Sequence, residues 1–288
     1  MIRLPPVVAL FTLLSLACSG SDESGSPASR FDAPDSAGAS STSGAPSAGG
    51  VSSTGGVSES GGASPSAGAA GAGGATSGPP ARTRCAAPAG LSTPPGTIDE
   101  VVTWLNALPK PTTAACFLES LPRPLAIVAT NSQFSAQPAL SPASPRVFIE
   151  LGRLWVSAVV DGESSYLLEF GYRPPDSDLA SIKGELALPL SESVSSNAPY
   201  ERVRYASGTM CGFCHRAEQP VASVSPDVFV SDAIRPRPET YVSVAALQLE
   251  HARCDWSVNA HRCEMLSALF DGGPVSETAF PDTMATFF

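Results

Sequence analysis

Apolar and polar positions first repeat with a helical period near residue 100. Apolar residues recur every three or four positions from Val101 to Leu108, and Pro109 follows them directly. Thr97 and Glu100 have the spacing of a capping box, in which a threonine hydroxyl and a glutamate carboxylate each accept a backbone N–H at the start of a helix. The pattern therefore predicts one amphipathic helix that begins after Thr97 and stops before Pro109.

From Leu125 onward the pattern changes to short extended runs. In the last of them, apolar residues alternate with Lys183 and Glu185, which is typical of a half-buried strand. No helix-length pattern separates the runs, so we expect an antiparallel sheet, arranged as a meander or a sandwich. The predicted strands are Leu125–Thr130, Val147–Glu150, Leu154–Val160, Tyr166–Tyr172 and Ile182–Leu188.

Helical patterns return near the C-terminus. They cover Val242 to Cys254 and Ala260 to Phe270, and Gly272-Gly273-Pro274 stops the second of them. The fold class that follows is α+β. We expect an N-terminal helix, an antiparallel β meander or sandwich, and a small helical C-terminal region rich in cysteine and histidine.

Composition divides the chain before the first predicted helix. Residues 19–84 are almost all Ser, Gly, Ala and Pro, with Phe31 as their one aromatic residue. Such a segment buries too little apolar surface to offset its conformational entropy, so we expect a disordered linker. We assign residues 85–199 to a domain of the helix and the sheet, and residues 200–288 to the Cys/His-rich region.

Residues 1–18 have the form of an export signal. Arg3 precedes an apolar run from Val7 to Leu16, which fits a signal-peptide core and is too short to span a bilayer. The following Ala17-Cys18 completes a segment that resembles a bacterial lipobox. This resemblance implies that Cys18 is lipidated and becomes the mature N-terminus. An ordinary cleaved signal peptide is the alternative.

Export and lipidation would place the chain on a membrane. Ser19 follows the lipobox cysteine, and by resemblance to Gram-negative lipoproteins it favours the outer membrane. We therefore expect an outer-membrane lipoprotein that faces the periplasm or the cell surface, with the membrane as its partner through the lipid anchor. The formal net charge is −10 and the basic residues do not cluster, so we expect no nucleic-acid partner.

The sequence contains seven cysteines, of which six remain if Cys18 carries lipid. An even number in an exported protein indicates disulfide pairing. One expected pair flanks the N-terminal helix and the other closes a short loop near the C-terminus. These two pairs are Cys85–Cys116 and Cys254–Cys263.

The remaining two cysteines lie in the segment Cys211-Gly212-Phe213-Cys214-His215. C-x-x-C-H is the pattern that attaches haem c, and over these five residues the chain resembles c-type cytochromes. The resemblance implies thioether bonds from Cys211 and Cys214 to one porphyrin. It also implies that His215 is the proximal ligand of the haem iron.

A second segment bears the same resemblance. Residues 280–287 are similar to the loop, flanked by proline and phenylalanine, that carries the distal methionine of that family. Met284 is thus the first candidate for the sixth ligand, followed by Met265, His251 and His261. A methionine ligand at Met284 would raise the reduction potential of the haem. The expected function is covalent haem binding for periplasmic or surface electron transfer, with a redox protein as the partner.

Three other interpretations of the cysteine motif stay open. The two thiols could form a third structural disulfide. They could belong to a thiol–disulfide oxidoreductase, since C-G-x-C occurs in thioredoxin-like proteins. They could also complete a zinc site, because two pairs spaced C-x2-C and H-x2-C can close a tetrahedron. The ligands of that site would be Cys211, Cys214, His251 and Cys254.

No known catalytic pattern accompanies the motif. The sequence has no serine-nucleophile elbow, phosphate loop or zinc-protease pattern, so we expect an electron carrier or a binding protein rather than an enzyme. The alternative function is a non-enzymatic, disulfide-stabilised surface lipoprotein that acts as a binding module. The β region supports this alternative, because a simple electron carrier does not need it.

Overall fold

The computed structural model describes residues 83–221 and 227–287, which belong to one compact unit. The predicted signal peptide, the lipidation site Cys18 and nearly all of the predicted linker lie outside the described residues. Within the described ranges, no helix has both the length and the apolar character that a membrane span requires.

Five α-helices form in the described part of the chain. The first begins with the predicted capping box: Thr97 Oγ1 accepts the backbone N–H of Glu100 at 3.2 Å, and the Glu100 carboxylate accepts the N–H of Thr97 at 3.2 Å. The predicted N-terminal helix is therefore confirmed. The helices are α1 (Ile98–Ala107), α2 (Ala114–Ser120), α3 (Ala198–Arg202), α4 (Val244–Ala252) and α5 (Ala260–Phe270).

Among the strands of the described residues, the first five, β1 to β5, lie at the five predicted positions. The alternation within β5 is as expected, since Ile182, Gly184 and Leu186 are buried and the residues between them are less so. The strands are β1 (Leu125–Thr130), β2 (Arg146–Leu151), β3 (Leu154–Val159), β4 (Leu167–Tyr172), β5 (Ala180–Ala187), β6 (Arg204–Tyr205), β7 (Gly208–Thr209), β8 (Gln219–Pro220), β9 (Phe229–Asp232), β10 (Ile234–Arg235), β11 (Tyr241–Val242), β12 (Val275–Glu277) and β13 (Ala285–Thr286).

The main sheet has the order β11-β1-β2-β3-β4-β5-β9-β8, and β12 pairs in parallel with β1. Strands β1 to β5 are neighbours in chain order and are antiparallel, which is a meander. The predicted α+β class is therefore confirmed. Strands from both predicted ranges, 85–199 and 200–288, contribute to this one sheet.

One face of the sheet packs on the helices and forms the main hydrophobic core. Ile127, Ile149 and Val156 lie side by side on this face and are completely buried. From the helices, Trp104 and Phe117 are buried against the same core. Burial of each such large side chain contributes about 1.5–3 kcal/mol to the stability of the fold.

The opposite face of the sheet carries more polar residues, yet it is covered as well. The C-terminal segment crosses it: the Phe280 ring lies 4.4 Å from Trp155 and 5.1 Å from Phe148 between centroids. Met284 packs into the same small apolar cluster, with Val128 beside it. A second, smaller core therefore lies on this face, beneath residues 280–284.

Both predicted disulfides are present. Cys85–Cys116 ties the segment before α1 to α2, and Cys254–Cys263 ties the end of α4 to α5. Each bridge restrains a loop of the unfolded chain, which stabilises the fold.

Candidate functional site

The C-x-x-C-H motif forms a tight turn between β7 and β8, which we call the Cys-His turn (residues 210–215). Met210–Phe213 is one turn of 3-10 helix, and the Thr209 hydroxyl caps it by accepting the N–H of Gly212 at 3.3 Å. The Cys211 carbonyl accepts the N–H groups of both Cys214 (3.1 Å) and His215 (2.8 Å). Backbone hydrogen bonds therefore fix the relative positions of the motif residues.

Glu218 lies beneath this turn and holds it in place. Its carboxylate accepts the N–H of Thr209 at 2.8 Å and also the Thr209 hydroxyl. A Cβ on Gly212 would lie 2.9 Å from that carboxylate, and one on Gly208 would lie 2.2 Å from it. A larger residue at position 212 would therefore displace the Glu218 carboxylate from its present position.

The His215 ring turns back toward the sheet. Its Nδ1 lies 2.8 Å from the carbonyl oxygen of Asp232, at the end of β9. Burial, with a further contribution from the positive charge of Lys183, lowers the pKa of His215 to about 3. The imidazole is therefore neutral at physiological pH, and Nδ1–H donates to the carbonyl.

A cavity of about 340 Å³ lies between the Cys-His turn and the second face of the sheet. We call it the main cavity. This volume falls within the range of about 300–1,000 Å³ of small-molecule sites. Its apolar wall includes Phe134, Phe148, Phe170, Met210, Ile234 and Phe287.

Charged side chains from three strands and one helix also reach the main cavity. They form two ion pairs, Arg146 with Glu169 and Arg202 with Glu185. Glu169 and Glu185 are directly opposite each other on β4 and β5. Burial, and next the charge of Glu169, raise the pKa of Glu185.

Lys183 closes the floor of the main cavity. Its Nζ lies 2.7 Å and 3.0 Å from the hydroxyl oxygens of Ser181 and Ser231, and 2.9–3.3 Å from the carbonyl oxygens of Ser181, Ser231 and Asp232. An ammonium has three N–H donors, so five oxygens satisfy it fully. Burial lowers the pKa of Lys183 to about 8, and the amine therefore remains largely protonated at neutral pH.

Cys211 lies on the wall of the main cavity, near these charges. Burial raises the pKa of the Cys211 thiol to about 11, and the charges of Glu169 and Glu185 act in the same direction against the opposing effect of Lys183. The thiolate is the reactive form of cysteine. Cys211 is thus held mainly as the neutral thiol at neutral pH.

Met284 and His215 both line a second, smaller cavity of about 90 Å³, next to the main one. Phe280 and Trp155 form part of its wall. Its volume is several times smaller than that of ordinary small-molecule sites. A porphyrin does not fit between His215 and Met284 in this arrangement.

The prediction of a haem c electron carrier is wrong. Within residues 83–221 and 227–287, no group of three or more His, Cys, Asp or Glu side chains is arranged to hold a metal ion. The physical reason lies in the two expected axial ligands. His215 is hydrogen-bonded to the backbone of β9, and Met284 is packed as a core residue under the C-terminal segment.

The alternative zinc site is also wrong, because its four ligands are engaged separately. Cys254 is consumed by the disulfide with Cys263. His251 Nε2 lies 3.1 Å from the carboxylate of Asp271, at the end of α5. Neither residue lines the main cavity with Cys211 and Cys214.

Sequence reasoning missed the residues of the sheet that line the main cavity. Lys183 and Glu185 occupy the polar positions of an alternating strand. From the sequence alone, such positions are expected to face water. The same holds for Arg146 and Glu169 on β2 and β4. The available signal was the cluster of charges on neighbouring strands, but its register became known only from the strand pairing.

The lowered pKa of His215 makes the free energy of unfolding depend on pH. Its pKa is lowered to about 3 in the folded chain, so between that pH and the ordinary value near 6.5 the unfolded chain binds more protons. The contribution of the neutral His215 to the free energy of unfolding is therefore complete above about pH 6.5 and decreases as the pH falls. Because His215 is only partly buried, we expect about 2 kcal/mol of loss between about pH 7 and pH 4.5.

Urea unfolding at several pH values measures this dependence. His215→Asn keeps an N–H donor for the Asp232 carbonyl and removes the titration, so its stability should fall about 2 kcal/mol less over the same range. His261→Asn, at an exposed position on α5, is the matched control and should follow the wild type. Equal acid sensitivity of the His215 variant and the wild type would contradict the assignment.

Comparison with known proteins gives no match among protein-family models, curated proteins or solved structures. The function of the site therefore has to be argued from its own geometry.

Proposed function

We propose that the folded region is a non-enzymatic, disulfide-stabilised binding module whose ligand site is the main cavity. The observation that carries this proposal is the cavity itself, about 340 Å³ between the Cys-His turn and the second face of the sheet. Two disulfides brace the surrounding fold.

The lining of the main cavity supports a ligand with an apolar body. Nine of the twenty lining residues have aromatic or aliphatic side chains, and such pockets bind ligands largely through apolar contacts. Phe134 lies at the opening with 73% of its surface exposed, so a ligand would remove it from water. Burial of apolar area contributes roughly 25 cal/mol per Å².

The charges on the wall support a ligand with an anionic end. Arg146 and Arg202 each have a carboxylate partner in the cavity, whereas the carboxylate partner of Arg235 is Asp282, which is fully exposed. The protonated Lys183 adds a further positive charge at the floor. The cavity therefore carries more positive than negative charge, which favours an acidic amphipathic molecule.

The chemistry of the motif residues supports binding rather than catalysis. Cys211 is held as a thiol by burial, and the imidazole of His215 is already hydrogen-bonded to Asp232. A nucleophilic cysteine needs a lowered pKa or an adjacent base. These two residues thus serve as a wall of the cavity.

The N-terminal features complete the proposal. We propose that Cys18 is lipidated and that the Ser/Gly/Ala-rich segment joins the anchor to the binding module on the outer membrane. A flexible chain of that length has a root-mean-square span on the order of 45 Å, which would hold the module clear of the lipid headgroups.

A fluorescence titration with anilinonaphthalene sulfonate tests the binding proposal on the full chain. This probe combines an apolar ring system with a sulfonate, as the lining requires. We expect saturable binding by the wild type. Ala136→Trp introduces a large side chain at an exposed position on the cavity rim, and we expect it to weaken binding at least about tenfold, or about 1.4 kcal/mol.

Ala87→Trp is the matched control, because Ala87 is an exposed loop residue away from the main cavity. It should bind the probe as the wild type does. The proposal fails if the wild type shows no saturable binding, or if the two tryptophan variants bind the probe equally well.

A further inference from the structure

The Cys-His turn contains a pair of thiols whose redox chemistry the binding proposal does not use. Cys211 and Cys214 take part in neither of the two disulfides, and both line the main cavity. Each is partly buried. The pair therefore differs from the other four cysteines of the folded region, which are consumed in structural bridges.

The turn brings the two residues within reach of each other. The N–H of Cys214 donates to the carbonyl of Cys211 at 3.1 Å, which closes a turn across four residues. Such turns hold their first and last Cα atoms less than about 7 Å apart. Disulfides have Cα atoms about 4.4–6.8 Å apart, so the Cα separation set by this turn is compatible with a bridge.

We infer that Cys211 and Cys214 are a redox-active dithiol that exchanges with disulfides and becomes a third, reversible disulfide. One S–S bond forms between Cys211 and Cys214, and one S–S bond of the oxidant breaks. The protein loses two electrons and two protons, which convert the oxidant disulfide into two thiols. The inference is independent of which ligand the main cavity binds.

The surroundings of Cys211 favour a neutral sulfur over a charged one. Glu169 and Glu185 repel a thiolate on Cys211, and burial disfavours it further. A disulfide carries no charge, so oxidation removes a group that would otherwise have to remain protonated. The same surroundings slow the attack of Cys211 on a disulfide at neutral pH, because the attacking species is the thiolate.

The opening next to the dithiol is accessible and apolar. Tyr205 and Phe213 stand with ring centroids 5.4 Å apart, and both rings are more than half exposed. Met210 is exposed beside them on the rim of the main cavity. A disulfide reagent thus has a path to the turn from solvent.

Equilibration with glutathione and glutathione disulfide tests the inference. The full chain is incubated at mildly alkaline pH in buffers of increasing oxidised fraction, starting from both the reduced and the oxidised protein. The reaction is quenched with acid, and the denatured protein is alkylated with iodoacetamide. Mass spectrometry then gives the number of alkylated thiols. We expect the loss of two hydrogen atoms and of both alkylated cysteines in oxidising buffer, with the change mapped to the peptide that contains 211 and 214.

The dependence on glutathione separates an internal disulfide from mixed disulfides. For the internal bridge, the ratio of oxidised to reduced protein rises with glutathione disulfide divided by the square of glutathione, because two glutathione molecules are released. Cys214→Ser is the control, and it should give only a single mixed disulfide on Cys211. Two glutathione adducts on the wild type, or two thiols that persist in oxidising buffer from both starting points, would overturn the inference.

Discussion

Arg146→Met is expected to lower the free energy of unfolding by about 3 kcal/mol. The guanidinium pairs with the Glu169 carboxylate at 2.5 Å, its side chain is only 13% exposed, and it donates to Ser157 Oγ at 2.8 Å. It also lies 4.5 Å above the ring of Phe148. Removal of one member of a buried pair leaves the other charge uncompensated, which costs about 3–5 kcal/mol.

Partial exposure of Glu169 places the expected loss at the lower end of that range. The nearby Glu185 adds to it, since the two carboxylates face each other across β4 and β5 once the arginine is gone. Urea unfolding measures the change. Arg237→Met is the matched control, because Arg237 pairs with Glu239 at 3.7 Å on the surface, where such a pair contributes at most about 1 kcal/mol.

A double variant separates the ion pair from other roles of Arg146. Arg146→Met with Glu169→Leu removes both charges, so it should be less destabilised than the sum of the single variants by about 2 kcal/mol. Strict additivity, or a loss below about 1 kcal/mol in Arg146→Met, would show that the pair is not effectively buried. Arg146 lines both cavities, so the same variant also reports on probe binding.

Removal of the Cys85–Cys116 disulfide is expected to cost about 4 kcal/mol. The bridge joins residues 31 apart in the sequence, and the entropy that it removes from the unfolded chain grows with the length of the closed loop. The Cys254–Cys263 bridge spans only 9 residues, and its loss should cost about 3 kcal/mol. Paired alanine substitutions at each bridge keep the comparison within one protein.

Chemical unfolding of the two paired variants against the wild type gives both values. The Cys85/Cys116 variant should be the less stable of the two by about 1 kcal/mol. Stability equal to that of the wild type in either variant would contradict a structural role for that bridge. The reduced pair Cys211 and Cys214 stays in place in both variants, so it does not affect the comparison.

The main cavity and the dithiol meet in the same turn, which connects the two proposals. Cys211 and Cys214 form part of the cavity wall, and Glu218 fixes the turn from below through Thr209. Formation of a third disulfide would draw the two sulfur atoms together at that wall. Titration of the sulfonate probe against the reduced and the oxidised protein would then show whether redox state alters binding.

The sequence by itself determined the helix α1, the strands of the five-stranded meander and the two disulfides. Thr97 and Glu100 satisfy N–H groups of their own helix, so the capping box can be read without tertiary contacts. The alternation in β5 assigns Ile182 and Leu186 to one face by strand geometry alone. The helix and the strands follow from residues close together in the chain, whereas the disulfides were predicted from the number and order of the cysteines.

Only the tertiary structure decided what covers the second face of the sheet. Lys183 and Glu169 occupy polar positions whose burial comes from residues 203–215 and from the C-terminal segment, far away in sequence. The haem interpretation failed for the same reason. The motif specifies five neighbouring residues, whereas an iron site also requires a ligand from elsewhere, and packing placed Met284 in a small apolar core instead. Periodicity states which residues share a face, but only the fold determines whether water or another segment lies against it.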